Sequence, residues 1–119
     1  MSRDHTKLRA FHLADELVVD VYNVTRSFPA DERYGLQAQM RRAAVRIAST
    51  LVEGCARRTL RDYAHFVTMS LASACEVRYL ITVAERLEMI SASIARPLHE
   101  RYDALVRMLQ ALTNSFSDL

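Results

Sequence analysis

Six arginines crowd one short stretch of this chain: Arg41, Arg42, Arg46, Arg57, Arg58 and Arg61, with Glu53 as the one acid between Gln39 and Arg61, so residues 39–61 carry a net charge of +5. A guanidinium is planar, always charged and forked to match phosphate or carboxylate, so these residue types support anion binding and not proton transfer. The bias runs through the whole chain, with fifteen Arg and a single Lys, Lys7, although the total is only +2. On a helical wheel Arg42, Arg46 and Glu53 fall within a band about 40° wide. From Arg42 to Arg57 a helix advances about 22 Å, enough to span several phosphates. Five neutralised phosphates would give a salt slope of about −4.5, as in modest, non-specific backbone contact. No aromatic residue is interleaved with these arginines, which argues against base stacking on single strands. The competing reading is a solvated face in which Arg42 and Arg46 pair with Glu53, or with Asp15, Glu16 and Asp20 of the first helix. Both readings stay open at this level.

Other chemistry finds no footing. His5, His12, His65 and His99 make neither an H-x-x-x-H nor an E-x-x-H spacing, so a di-metal site in a bundle core lacks its ligands. Glu16/Asp20 and His99/Asp103 stand four apart, but each pair supplies too few groups for a metal or an acid–base relay. The only glycines are Gly35 and Gly54, which provides neither a phosphate-cradling loop nor a nucleophile elbow. Cys55 and Cys75 form no C-x-x-C unit and read as reduced thiols. The expectation is a protein that is not an enzyme, with no catalytic residue, cofactor or metal.

The elements that must position the arginines follow from periodicity. With 119 residues, two Gly, two Pro and 50% hydrophobic residues, the chain is expected to form one all-α domain. A first helix is predicted from about Leu8 to Arg26, ending before Phe28-Pro29. Asp31 is positioned to cap a second helix, whose stripe Leu36, Met40, Ala43, Ile47 and Leu51 would face the core until Gly54 terminates it. Thr59 and Asp62 resemble a capping arrangement for a third helix that runs to about Glu88. Ser91 or Ser93 can cap a fourth, with Pro97 in its first turn and a seam of Leu98, Tyr102, Leu105, Leu109, Leu112 and Phe116. Short links between four helices imply an antiparallel up-down-up-down bundle.

The third helix is apolar on every side of the wheel, and the first carries an apolar arc of roughly 180°, wider than one core needs. Small residues Ser70, Ala72, Ser73 and Ala74 would let another helix approach closely. A closed homo-oligomer using the first and third helices is therefore expected. The N-terminal segment lacks an apolar signal core, and no run was expected to reach the roughly 18 apolar residues of a membrane span. A cytoplasmic protein without membrane contact is the corresponding expectation.

Phe28, Pro29, Glu32, Tyr34, Gly35, Leu36, Gln39, Met40, Arg42, Ala43, Ile47, Glu53 and Gly54 together resemble the pattern of a bacterial four-helix bundle family that includes proteins encoded in intervening sequences of large-subunit ribosomal RNA genes. Arg46 stands where that family usually has Ser, Thr50 where Asn is usual, and Ala72-Ser73 where Gly-Ser is usual. The resemblance implies an antiparallel bundle assembled as a pentameric ring. Relatives include accessory proteins of diversity-generating retroelements, which implies RNA or DNA and a reverse transcriptase or other protein as partners. A ring that recruits a protein and ignores nucleic acid is the alternative.

Overall fold

The computed structural model describes residues 3–117. Among them there is no strand; four α-helices, α1 (Arg9–Thr25), α2 (Leu36–Cys55), α3 (Leu60–Arg86) and α4 (Ala92–Asn114), are preceded by a 3-10 turn at His5–Lys7, and a second such turn, Ala30–Glu32, bridges α1 and α2. Each helix packs on its sequence neighbours, and α1 closes on α4. Their ends show the direction. Arg3 N donates to Cys55 O, Gln37 Nε2 to Thr25 O and Ser70 Oγ to Ile47 O. The Tyr63 and Phe116 rings meet edge to face at 5.4 Å. Adjacent helices are thus antiparallel, with α1 and α3 at diagonally opposite corners.

The predicted stripe of α2, Leu36, Met40, Ala43, Ile47 and Leu51, is buried throughout, as are Leu98, Tyr102, Leu105 and Leu109 of α4. Every fully buried Leu or Ile removes enough apolar area from water to contribute about 1.5–3 kcal/mol, so these two seams hold α2 and α4 against the common core. Burial also pushes the Tyr102 phenol above its ordinary range and the Cys55 thiol upward.

Three local expectations change. Thr59 does cap α3, its Oγ1 accepting from Asp62 N at 3.1 Å, but Asp31 does not cap α2. The chain first makes the turn Ala30–Glu32, and Glu32 Oε1 accepts from Leu36 N at 2.9 Å, because Glu32 lies one residue closer to the helix start and has the longer side chain. Gly54 is no terminator: it is buried inside α2, which ends at Cys55. Pro97 is the sixth residue of α4, past the first turn, where its missing N–H leaves the Ser93 carbonyl without a helical donor.

The end of α3 is a Schellman turn. Met89 N donates to Ala84 O and Glu88 N to Glu85 O, both at 2.9 Å, with Glu88 in the left-handed region at φ 61°. Glycine is the residue that adopts this conformation without steric cost. Glu88→Gly is expected to raise stability by about 0.5–1 kcal/mol, measured by urea denaturation; a loss of stability would contradict the assignment.

The wide apolar arc of α1 is largely consumed within the chain. Phe11, Leu13, Val18 and Val24 pack partly buried against the core, leaving Val19 (59% exposed) and Tyr22 as the outward apolar residues. Ser70, Ser73 and Ala74 of α3 are buried, and Ser70 hydrogen-bonds α2 across their contact at 2.6 Å. The helix they admit is α2 of the same chain. What α3 turns outward in its middle is a stripe of His65, Thr68, Met69, Ala72, Tyr79 and Thr82, with Arg61, Asp62, Glu76, Arg78 and Arg86 as the charged residues around it. By length and composition α3 is apolar enough to cross a membrane, with mean hydropathy 1.3 over its most apolar 18 residues, yet 39% of that window is buried in the bundle.

Candidate nucleic-acid interface

The arginines of α2 part company according to which neighbour each meets. Arg41 points back to the end of α1: its Nε donates to Thr25 Oγ1 at 2.9 Å and its Nη2 to Tyr22 O at 3.2 Å, with the guanidinium stacked 4.5 Å over the Tyr22 ring. Gln37 donates to Thr25 O at 2.8 Å. Thus α2 adds donors to the last carbonyls of α1, of which Thr25 O also accepts from Phe28 N, at the negative end of that helix, a favourable place for a cation. Arg41→Ala is expected to cost about 1–2 kcal/mol, since it strips a charged donor from partly buried acceptors. Arg42→Ala, at an exposed position, should change thermal stability by less than about 0.5 kcal/mol. Equal losses in the two variants, read by thermal denaturation, would refute the division.

Arg42 and Arg46 face outward as the wheel requires. Both line a groove of about 780 Å³ on the outer side of α2, together with Arg33, Tyr34, Val45, Glu53 and Met69. Among the described residues Arg42 has no ion-pair partner. Arg46 does not pair with the acids of α1; it reaches Glu76 of α3 at 3.8 Å, with half its side chain exposed. That solvated contact contributes on the order of a few tenths of a kcal/mol and leaves the charge available. Glu16 and Asp20 are engaged by Arg101 of α4, and Asp103 by Arg78 at 3.4 Å. The carboxylates considered for an acid–base pair are therefore ion-pair members.

Arg57, Arg58 and Arg61 occupy the tip where α2 turns into α3. Arg57 lies 4.5 Å over the Phe66 ring, Arg58 makes its own contacts, and Arg61 borders a separate hollow with His65, Thr68 and Phe116. The six arginines do not form one strip: Arg42 and Arg46 belong to the groove, which Arg41 also borders while bonded into the helix junction, and Arg57, Arg58 and Arg61 belong to the tip.

Several groove residues lie outside the 39–61 window, among them Tyr22, Arg33 and Tyr34. Arg33 and Tyr34 come from the elbow after the Ala30–Glu32 turn and are brought to α2 by the fold. Tyr22 reaches the same groove from α1. The aromatic residues missing between the arginines in sequence are supplied in space. Arg33-Tyr34 next to a predicted helix start was the available signal, since an elbow there projects both side chains beside the first turns of α2.

These features define a helical-bundle protein with a cationic, aromatic-edged outer groove. The chain belongs to the 23S rRNA-intervening sequence protein family, whose model matches residues 6–111. A crystal structure of a protein with unknown function from the S23 ribosomal protein family of Bacteroides thetaiotaomicron VPI-5482 superposes with a TM-score of 0.79. It shares 15% identity and covers 87% of this chain and 97% of its own, a likeness in fold. No curated protein matches the sequence.

Proposed function

We propose that the protein is a non-catalytic, homo-oligomeric scaffold or accessory factor that holds RNA or DNA by its phosphate backbone. The observation that carries this reading is the placing of Arg33, Arg42 and Arg46 in one open groove, with further arginines at the neighbouring tip. Contacts of this kind position a strand without reading its sequence. The family's description as a 23S rRNA-intervening sequence protein is in keeping with an RNA context.

Assembly is supported by α3. Its central residues 63–75 carry no Asp, Glu, Lys or Arg, a span of about 18 Å along the axis, and Met69 and Tyr79 stand exposed on its outer face. Val19 is exposed on α1 at the diagonal corner. Two different apolar patches on opposite corners suit a head-to-tail contact, which closes into a ring when the rotation allows; five subunits is the number the family resemblance implies. A ring repeats the groove on every subunit and converts modest contacts into polyvalent binding.

The second reading is a ring that recruits a protein, favoured by the apolar side of the groove, Tyr22, Val45 and Met69. Filter-binding titrations with duplex and single-stranded ligands at two salt concentrations separate the two. The expected result is binding that weakens with salt, and a slope reduced by about 2 in Arg57→Ala/Arg58→Ala if each neutralises one phosphate. Absence of binding at low salt would leave the protein-recruiting ring; an unchanged slope would remove the tip from the interface.

A further inference from the structure

Among the described residues Tyr34 is the most exposed large hydrophobic, at 88%, and it sits at the edge of the arginine groove. Isolated exposed aromatics are ordinary on protein surfaces, so exposure alone assigns nothing. The mounting of this one is informative. The elbow beneath it is tied by Glu32 N to Pro29 O at 2.9 Å, Arg33 N to Ala30 O at 3.2 Å and Gly35 N to Glu32 O at 3.1 Å. The Glu32 carboxylate is held by Leu36 N, and Phe28 anchors the elbow in the core. A ring on a hydrogen-bonded turn loses little conformational freedom when something stacks on it, which lowers the cost of binding.

The cations of the groove suit the same occupant. Arg42 and Arg46 are one turn apart, about 6 Å along the helix axis. The rise of about 3.4 Å per phosphate of a duplex strand is measured along the helix axis, and the backbone path between neighbouring phosphates is longer, so Arg42 and Arg46 can each take one of two adjacent phosphates of a strand whose bases are free to turn toward the elbow. An unstacked base needs a new surface, and Tyr34 offers one beside Arg33. A duplex keeps its base faces inside the helix and offers none. The groove, about 780 Å³ in volume, has room for a nucleotide or two beside the ring. Glu53, the one acid among its lining residues, repels phosphate and bounds the anionic path.

We propose that this groove is a single-strand site, with phosphates on Arg42 and Arg46 and a base stacked on Tyr34. The assignment rests on the nucleic-acid reading above and narrows it to single strands. The test is fluorescence anisotropy with a labelled oligouridylate, the corresponding oligodeoxythymidylate and a labelled duplex, using the full chain and its Tyr34→Ala, Tyr34→Phe and Arg42→Ala/Arg46→Ala variants. Tyr34→Ala is expected to weaken single-strand binding about 5- to 100-fold, with Tyr34→Phe close to the parent and duplex binding unchanged. Arg42→Ala/Arg46→Ala should weaken single-strand binding and flatten its salt dependence.

Single-strand affinity that survives Tyr34→Ala would overturn the stacking site while backbone binding stood. No binding of any probe at low salt would overturn both readings. If sedimentation shows that Tyr34→Ala changes the mass of the assembly, the groove is a contact between copies of this chain and the proposal falls. Because Tyr34 is almost wholly in solvent, its replacement is expected to leave the fold intact, which circular dichroism checks.

Discussion

Gly54→Val is expected to destabilise the bundle by about 3 kcal/mol, a fall of roughly 10 °C in melting temperature for a domain of this size. A Cβ added to Gly54 would stand 2.8 Å from Phe66 Cβ and 3.4 Å from Tyr63 Cδ1. The first of these atoms is fixed to the backbone of α3 and cannot swing aside, so α2 and α3 must separate. Separation opens the packing around Leu51, Tyr63 and Val67, all buried. It also moves Phe66, the platform on which Arg57 lies. The arginine tip should therefore lose its arrangement together with stability. The decisive comparison is Gly54→Ala. At an exposed helical position that change would gain up to about 1 kcal/mol in helix propensity, whereas here overpacking of about 1–3 kcal/mol opposes it. Urea denaturation that finds Gly54→Ala more stable than the parent would refute the close-approach account.

Met69→Asp/Tyr79→Asp is expected to convert the proposed assembly into single 13.6 kDa chains without unfolding them. Both residues lie on the outer face of α3, Tyr79 at 62% exposure and Met69 at 38% on the rim of the groove, so neither substitution buries a charge in the core of one bundle. In an assembled ring each would desolvate a carboxylate against an apolar neighbour, at a cost of several kcal/mol per subunit interface. Sedimentation velocity at micromolar concentration reads the result. A parent protein that already sediments as one chain would remove the oligomer, and with it the polyvalent grip on phosphates; a doubly substituted protein that still assembles would place the contact elsewhere.

The two predictions rest on features of unequal legibility. The stripe Leu36, Met40, Ala43, Ile47 and Leu51 was readable because an amphipathic helix repeats every 3.6 residues whatever it packs against, and all five residues are buried. Thr59 was readable as a cap because its Oγ1 partner, Asp62 N, is three residues away. Gly54 reads as a helix end but is buried within α2 against Phe66, since in one dimension a glycine that stops a helix and a glycine that admits a neighbouring side chain look alike. Glu32 takes the place expected of Asp31 because a 3-10 turn between the proline and the helix leaves little trace in residue type.

The arginines show the same boundary. Their identity, density and outward band on α2 were evident from the chain, and so was their chemistry, because a guanidinium binds anions in any context. Their division was not. Arg41 serves the junction because the end of α1 crosses beside it, while Arg42, one residue further and about 100° around the helix, meets solvent. Arg33 and Tyr34 join the groove because the elbow folds back along α2. Periodicity, caps and charge are local properties and can be read in one dimension. The partner of a side chain depends on which other helix lies against it, and that is settled only when four helices close around a common core.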